Sequence, residues 1–157
     1  MGMVLIIATT YVISSRWFQL ILIQGESMHP ACHHLQPAVL DKRNCEYQAG
    51  DVVAFRCSRL QTILVKRIAA CPGDRLQIAA GTLLVNGEVS RIYQYQRRGI
   101  FTYAGIAATQ KQLQEGEYFV LGDNLAKSID SRYEEVGMVN ADAILGRVVG
   151  CKKVPGG

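Results

Sequence analysis

Gln61-Thr62-Ile63-Leu64-Val65-Lys66-Arg67-Ile68-Ala69-Ala70, closed by Pro72-Gly73-Asp74, decides the fold class of this chain. The run is of strand length, and β-branched and leucine side chains dominate its middle. Pro-Gly-Asp is a strong turn signal, so the stretch reads as one strand with a defined end. In a strand, residues two apart share a face. Leu64, Lys66 and Ile68 therefore point one way, and Val65, Arg67 and Ala69 the other. An amine flanked on its own face by leucine and isoleucine is stripped of water, unless it snorkels from an edge.

Working outward, the same kind of run recurs at Trp17–Gln24, Asp51–Phe55, Arg75–Ile78, Thr82–Val85, Glu88–Tyr95, Glu117–Leu121 and Gly146–Val149. Asn86-Gly87 is the clearest hairpin turn, joining Thr82–Val85 to Glu88–Tyr95. The segment after Pro30 reads as a connection that runs through Pro37 to the Gly50-Asp51 turn. Residues 96–116 read as a loop with a short helix near Lys111–Gln114, and Asn140–Leu145 as a helical turn. The expected fold is mostly β: a compact antiparallel sheet or barrel-like domain.

Composition agrees. The chain has 157 residues, 49% apolar and 19% charged, enough for one domain with a real core and inconsistent with disorder. The formal charge of +4 comes from scattered Lys and Arg without a basic run, so no nucleic-acid partner is expected. The five cysteines show no Cys-x-x-Cys spacing, so neither a metal nor another cofactor is expected. Most read as small core residues. A Cys45–Cys57 bridge is geometrically conceivable, and the odd count leaves at least one thiol free.

The N-terminal run Met3–Ile23 is strongly apolar. It reads as two pieces: a short apolar helix over Met1–Ser14, then the strand Trp17–Gln24. Arg16 is costly at mid-bilayer but suits an interface beside Trp17, where aromatic rings anchor. A single span of about 20 residues is the competing reading. Residues 1–15 are thus expected to be a membrane anchor helix and 16–153 a β-rich domain.

Two further segments carry chemistry. Gly25-Glu26-Ser27-Met28-His29-Pro30 places a serine in a turn, and a serine hydroxyl needs a base. His29, His33 and His34 lie close to it in sequence, but no carboxylate is placed to orient them as in a Ser-His-Asp triad. Lys66 is the alternative, because burial lowers a lysine and frees its lone pair. Gly122-Asp123-Asn124-Leu125-Ala126-Lys127-Ser128-Ile129-Asp130-Ser131-Arg132 supplies the supports. Asp130 can pair with Arg132, Asp123 with Arg67, and Ser128 can hydrogen-bond a neutral amine.

Together these segments resemble bacterial type I signal peptidase, the membrane-bound Ser/Lys protease family, in a small form. The family's Ser-Met-x-Pro is Ser27-Met28-His29-Pro30, and its Gly-Asp-x-Val is Gly50-Asp51-Val52-Val53. Its Lys-Arg-Ile with a following Pro-Gly-Asp is Lys66-Arg67-Ile68 and Pro72-Gly73-Asp74. Its Gly-Asp-Asn-x-x-x-Ser-x-Asp-Ser-Arg box is complete at Gly122–Arg132, and Gly146-Arg147 follows near the end. The order is the family's from residue 25 to about 150. Ala31-Cys32 departs from the usual Thr-Leu, and Gly25 stands where some members have a serine.

The resemblance implies Ser27 as nucleophile, Lys66 as general base and Ser128 as the residue that orients the lysine. Asp130, Arg132, Asp123 and Arg67 are implied as supports. Gly25, Met28 and Pro30 are implied to border the substrate pocket and oxyanion hole, where the Ser27 N–H would contribute. It implies a signal-peptidase catalytic domain over 16–153, with a minimal second-domain insertion at about 75–116 and a short N-terminal membrane helix, cutting signal peptides of secreted preproteins after an Ala-x-Ala-like site. It also implies contact with membrane lipid and a catalytic domain on the extracytoplasmic side of the cell membrane; a monomer is expected. A self-cleaving repressor of related chemistry would need a helix-turn-helix before the serine, and a silent binding module would be expected to have lost Ser27 or Lys66.

Overall fold

The computed structural model describes residues 16–43, 46–94 and 101–152. The anchor helix expected over residues 1–15 lies outside the described residues. Among those described, no helix is long and apolar enough to cross a membrane.

Two antiparallel sheets make up the fold. The larger is built from β1 (Phe18–Leu22), β2 (Pro37–Asp41), β3 (Val52–Cys57), β4 (Thr62–Ala70), β9 (Glu117–Leu121), β10 (Val139–Asn140) and β11 (Ile144–Val149), in the order β1-β2-β11-β3-β4-β9-β10. The smaller holds β5 (Arg75–Ala79), β6 (Thr82–Val85), β7 (Glu88–Val89) and β8 (Lys111–Gln112), in the order β7-β6-β5-β8. Among the described residues no pairing joins β1 to β10, so the large sheet is open rather than a closed barrel.

β4 is an interior strand of the large sheet. β4 pairs with β3 on one side, Lys66 opposite Val53, and with β9 on the other, Arg67 opposite Leu121. Leu64 and Ile68 pack with Val53, Phe55 and Val120, whereas Val65 packs with Met28, Leu40 and Ala54. Burial on both faces explains why the run carries so few polar residues. Asn86-Gly87 forms the expected tight turn, both residues at positive φ (54° and 85°), with Val85 opposite Glu88.

Four expectations are corrected. The connection after Pro30 contains a strand, β2. Ala38 and Leu40 alternate inward there, and Pro37 occupies the first strand position, where a missing N–H is tolerated. The returning strand Glu88–Tyr95 stops at Val89 and becomes a helical turn, α1 (Arg91–Gln94). Ile92 and Tyr93 are consecutive and both buried, which a helical turn satisfies and a one-faced strand does not. The helix expected near Lys111–Gln114 is instead strand β8, and a 3-10 turn lies just before it at Gly105–Ala108.

The fourth correction is the disulfide. Cys32 pairs with Cys151, Cα–Cα 5.0 Å, while Cys57 and Cys71 are free thiols. Cys45 lies outside the described residues. The bridge ties the turn after Ser27 to the end of β11, and the Lys152 N–H adds a bond to the Ala31 carbonyl (3.0 Å). Cys32 is therefore a covalent staple rather than a packing variant. Closing a loop of 119 positions, it is expected to contribute about 2–4 kcal/mol. The Cys32→Ser/Cys151→Ser variant should show that loss in urea unfolding; an unchanged midpoint would contradict it.

Candidate active site

Ser27 sits in the turn between β1 and β2. The turn is closed by backbone bonds from Cys32 N to Met28 O (2.9 Å) and Leu35 N to Ile23 O (2.7 Å). Ile23 and Met28 are buried on either side of the serine, so the core pins the turn at both ends. This is a structural role for Met28, and Pro30 follows at the exposed outer edge. The loop after β9 docks from above, the Asn124 N–H donating to the Ser27 carbonyl (2.9 Å).

Lys66 reaches this turn from β4. Its Nζ lies 2.8 Å from Ser27 Oγ and 3.0 Å from the Val65 carbonyl. The pair is separated by 39 positions in sequence. Lys66 is 3% exposed, and burial lowers its amine from 10.5 to about 8, against the opposing charges of Asp130 and Asp123. The Val65 carbonyl accepts one amine N–H, and Ser27 Oγ is the other hydrogen-bond neighbour of the same nitrogen. No histidine bonds Ser27. His34 Nδ1 accepts the Gly25 N–H, and His29 and His33 meet edge to face with centroids 5.3 Å apart.

Two buried ion pairs frame the dyad. Arg67 forks onto Asp123, Nε to Oδ1 at 2.8 Å and Nη2 to Oδ2 at 2.7 Å, and also donates to the Gly50 carbonyl (2.7 Å). Arg132 forks onto Asp130 at 2.8 and 2.9 Å, and donates to the Leu125 and Ser128 carbonyls. Asp130 Oδ2 also accepts the Gly122 N–H (3.1 Å). All four side chains are almost completely buried. The forks satisfy most of their polar atoms, which is what makes such burial tolerable.

Ser128 is buried, but its Oγ has no hydrogen-bond partner, so the second contact of Lys66 is the Val65 carbonyl rather than this hydroxyl. Ser128 packs directly on Gly122. A Cβ at Gly122 would overlap the Ser128 side chain and the Ser27 carbonyl. Gly122→Ala is expected to push the Ser27 turn out of line and cut kcat/KM by about 100-fold, the cost of a displacement of about 1 Å. Steady-state kinetics checks this; wild-type turnover would refute it. Neither the Val65 contact nor the Glu26–Lys127 ion pair across the mouth was legible in the sequence: the first is set by the local backbone geometry of β4, and the second depends on how distant loops dock.

A cleft of about 330 Å³ opens onto Ser27 and Lys66, flanked by β1 and β4 and floored by Met28, Leu40, Ala54 and Leu145. A larger groove, about 620 Å³, lies by Arg56, Ser58, Asn140 and Asp142, and includes neither Ser27 nor Lys66. Chemistry therefore favours the smaller, apolar cleft. Among the described residues no group of side chains is arranged to hold a metal ion.

Comparison with known proteins agrees with this geometry. The profile of the family described as signal peptidase, peptidase S26, matches residues 1–151. The chain is 31% identical over 137 residues to a signal peptidase I of Bacillus licheniformis, covering 82% of this chain and 73% of that protein. It is 30% identical over 137 residues to signal peptidase I T of Bacillus subtilis, covering 82% and 70%. A crystal structure of a signal peptidase I from Enterococcus faecalis aligns with a TM-score of 0.52 at 28% identity, over 65% of this chain and 96% of that one.

Proposed function

Because the chain belongs to the signal peptidase family, peptidase S26, we propose that it is a membrane-bound serine endopeptidase that removes signal peptides from exported preproteins after an Ala-x-Ala-like site, with Ser27 as nucleophile and Lys66 as general base. The observation that carries this reading is the 2.8 Å contact between a buried lysine amine and the Ser27 hydroxyl.

An extended substrate lies in the cleft between β1 and β4, pairing its backbone as an added strand. Small side chains at −1 and −3 fit a shallow apolar floor. Neutral Lys66 takes the Ser27 proton and Ser27 Oγ attacks the scissile carbonyl. The Ser27 N–H has no acceptor within the protein among the described residues, and it donates to the developing oxyanion. Lys66 then protonates the leaving amine and activates the water that hydrolyses the acyl-enzyme. Ser128, whose buried hydroxyl is unengaged in the resting site, accepts an amine N–H only when Lys66 turns away from the Val65 carbonyl during this cycle.

Anchoring and location follow the same reading. Leu20, Val39 and Val149 are exposed cross-strand neighbours on β1, β2 and β11, and Leu22 is exposed two residues from Leu20 on β1. Such an apolar patch suits a lipid surface, with residues 1–15 as anchor and the domain acting as a monomer. The Cys32–Cys151 bridge suits an oxidising, extracytoplasmic compartment. The test is cleavage of a membrane-inserted preprotein with an Ala-x-Ala site. One cut after the second alanine is expected, and none from the Ser27→Ala protein. Cutting elsewhere, or cutting that survives Ser27→Ala, would overturn the assignment.

A further inference from the structure

Between the two pinned ends of the nucleophile turn, Ile23 and Met28, the residues leading to Ser27 (Gln24, Gly25 and Glu26) are all exposed. Gly25 has φ +89°, and a Cβ placed on it would meet nothing within 4 Å, so packing does not hold it. Two side-chain contacts do. Lys127, from the loop after β9, pairs with Glu26, and the Gly25 N–H donates to His34 Nδ1 at 2.9 Å. His34 is placed for this by backbone bonds on either side, Leu35 N to Ile23 O and Gln36 N to His33 O.

We propose that His34 is a positioning residue for the nucleophile, holding the Gly25–Ser27 turn in register only while its imidazole is neutral. An imidazole that accepts at Nδ1 carries its proton on Nε2. Adding a second proton puts an N–H on Nδ1 against the Gly25 N–H, and the contact must open. Histidine is the side chain whose charge changes between pH 5 and 8, the range in which Lys66 also loses competence. The charged and titratable groups around the turn are Glu26, His29 and His33 on the turn itself, Lys127 across the mouth, and Lys152 beyond β11. Of these, Glu26 is itself paired with Lys127.

The inference rests on the Ser27–Lys66 reading for its effect on rate. Loss of the Lys66 base alone makes kcat/KM fall about tenfold per pH unit below about 8. A second proton on His34 steepens this toward about 100-fold per unit at the acid end, with the change in kcat rather than KM. His34→Gln keeps an acceptor that does not titrate. It is expected to rescue turnover at pH 9 and to show only the tenfold slope, whereas His34→Leu loses kcat at every pH.

A readout without cleavage separates this inference from the assignment of function. In the full-length Ser27→Ala protein, the Gly25 amide resonance should titrate together with the His34 ring, and should be flat in Ser27→Ala/His34→Gln. A Gly25 amide indifferent to His34 protonation, or the steep acid limb persisting in His34→Gln, would overturn the proposal.

Discussion

Replacing Lys66 by methionine is expected to abolish turnover, by at least about 1,000-fold in kcat, while making the folded protein more stable at neutral pH. The amine titrates near 8 in the fold against an ordinary value of 10.5. Between these two values the unfolded chain binds a proton that the folded chain does not, so stability rises with pH across that window. The cost of burying the ammonium, about 3 kcal/mol, is present in full below 8 and has vanished above 10.5. Methionine carries no such cost. The Tm advantage of Lys66→Met should therefore be largest at pH 7 and shrink toward pH 10.5. Thermal melts across this range check it, and a pH-independent difference would contradict the buried-amine account. Burial of Lys66 thus costs stability at neutral pH and makes the neutral amine accessible near pH 8 rather than 10.5.

The second large effect is expected at Asp130. Asp130→Ala leaves the Arg132 guanidinium, 1% exposed, without its counter-charge, and frees the Gly122 N–H. Breaking one partner of a buried pair costs about 3–5 kcal/mol, which for a domain of this size is about 10–15 °C in Tm. Asp130→Ala/Arg132→Met removes both charges and should recover a good part of that stability. It should not recover activity, because Arg132 also holds the Leu125 and Ser128 carbonyls of the loop over the dyad. A double variant no more stable than Asp130→Ala would show that the carbonyl contacts, not the charge pair, dominate.

The parts of the fold written in local chemistry were legible. The alternation and length of β4, the Asn86-Gly87 turn and the charges of the Gly122–Arg132 loop each act within a few residues, and the structure contains all of them. What was hidden depended on distant partners. β2 was masked by a proline whose harmlessness depends on its being the first residue of the strand. The turn at α1 exists because Ile92 and Tyr93 must both reach the core under β5 and β6. Cys32 has no local feature that names Cys151 as its partner.

The candidate site divides the same way. Lys66 stands out on β4 because a lysine among Leu64, Val65 and Ile68 is out of place unless its burial serves a purpose. Its second contact was assigned in the sequence to Ser128, but the strand's own Val65 carbonyl takes it. The backbone geometry of β4 decides that choice, and side-chain identity does not record it.

The most direct test of the Ser27–Lys66 account is mass-spectrometric mapping of the covalent adduct formed with a β-lactam-type acylating inhibitor, timed at several pH values. The account predicts a single adduct on Ser27. Its rate should rise about tenfold per pH unit through neutrality, level off above about 8, and be absent in Ser27→Ala and Lys66→Met. An adduct on another residue, or Ser27 labelling at an undiminished rate in Lys66→Met, would contradict it.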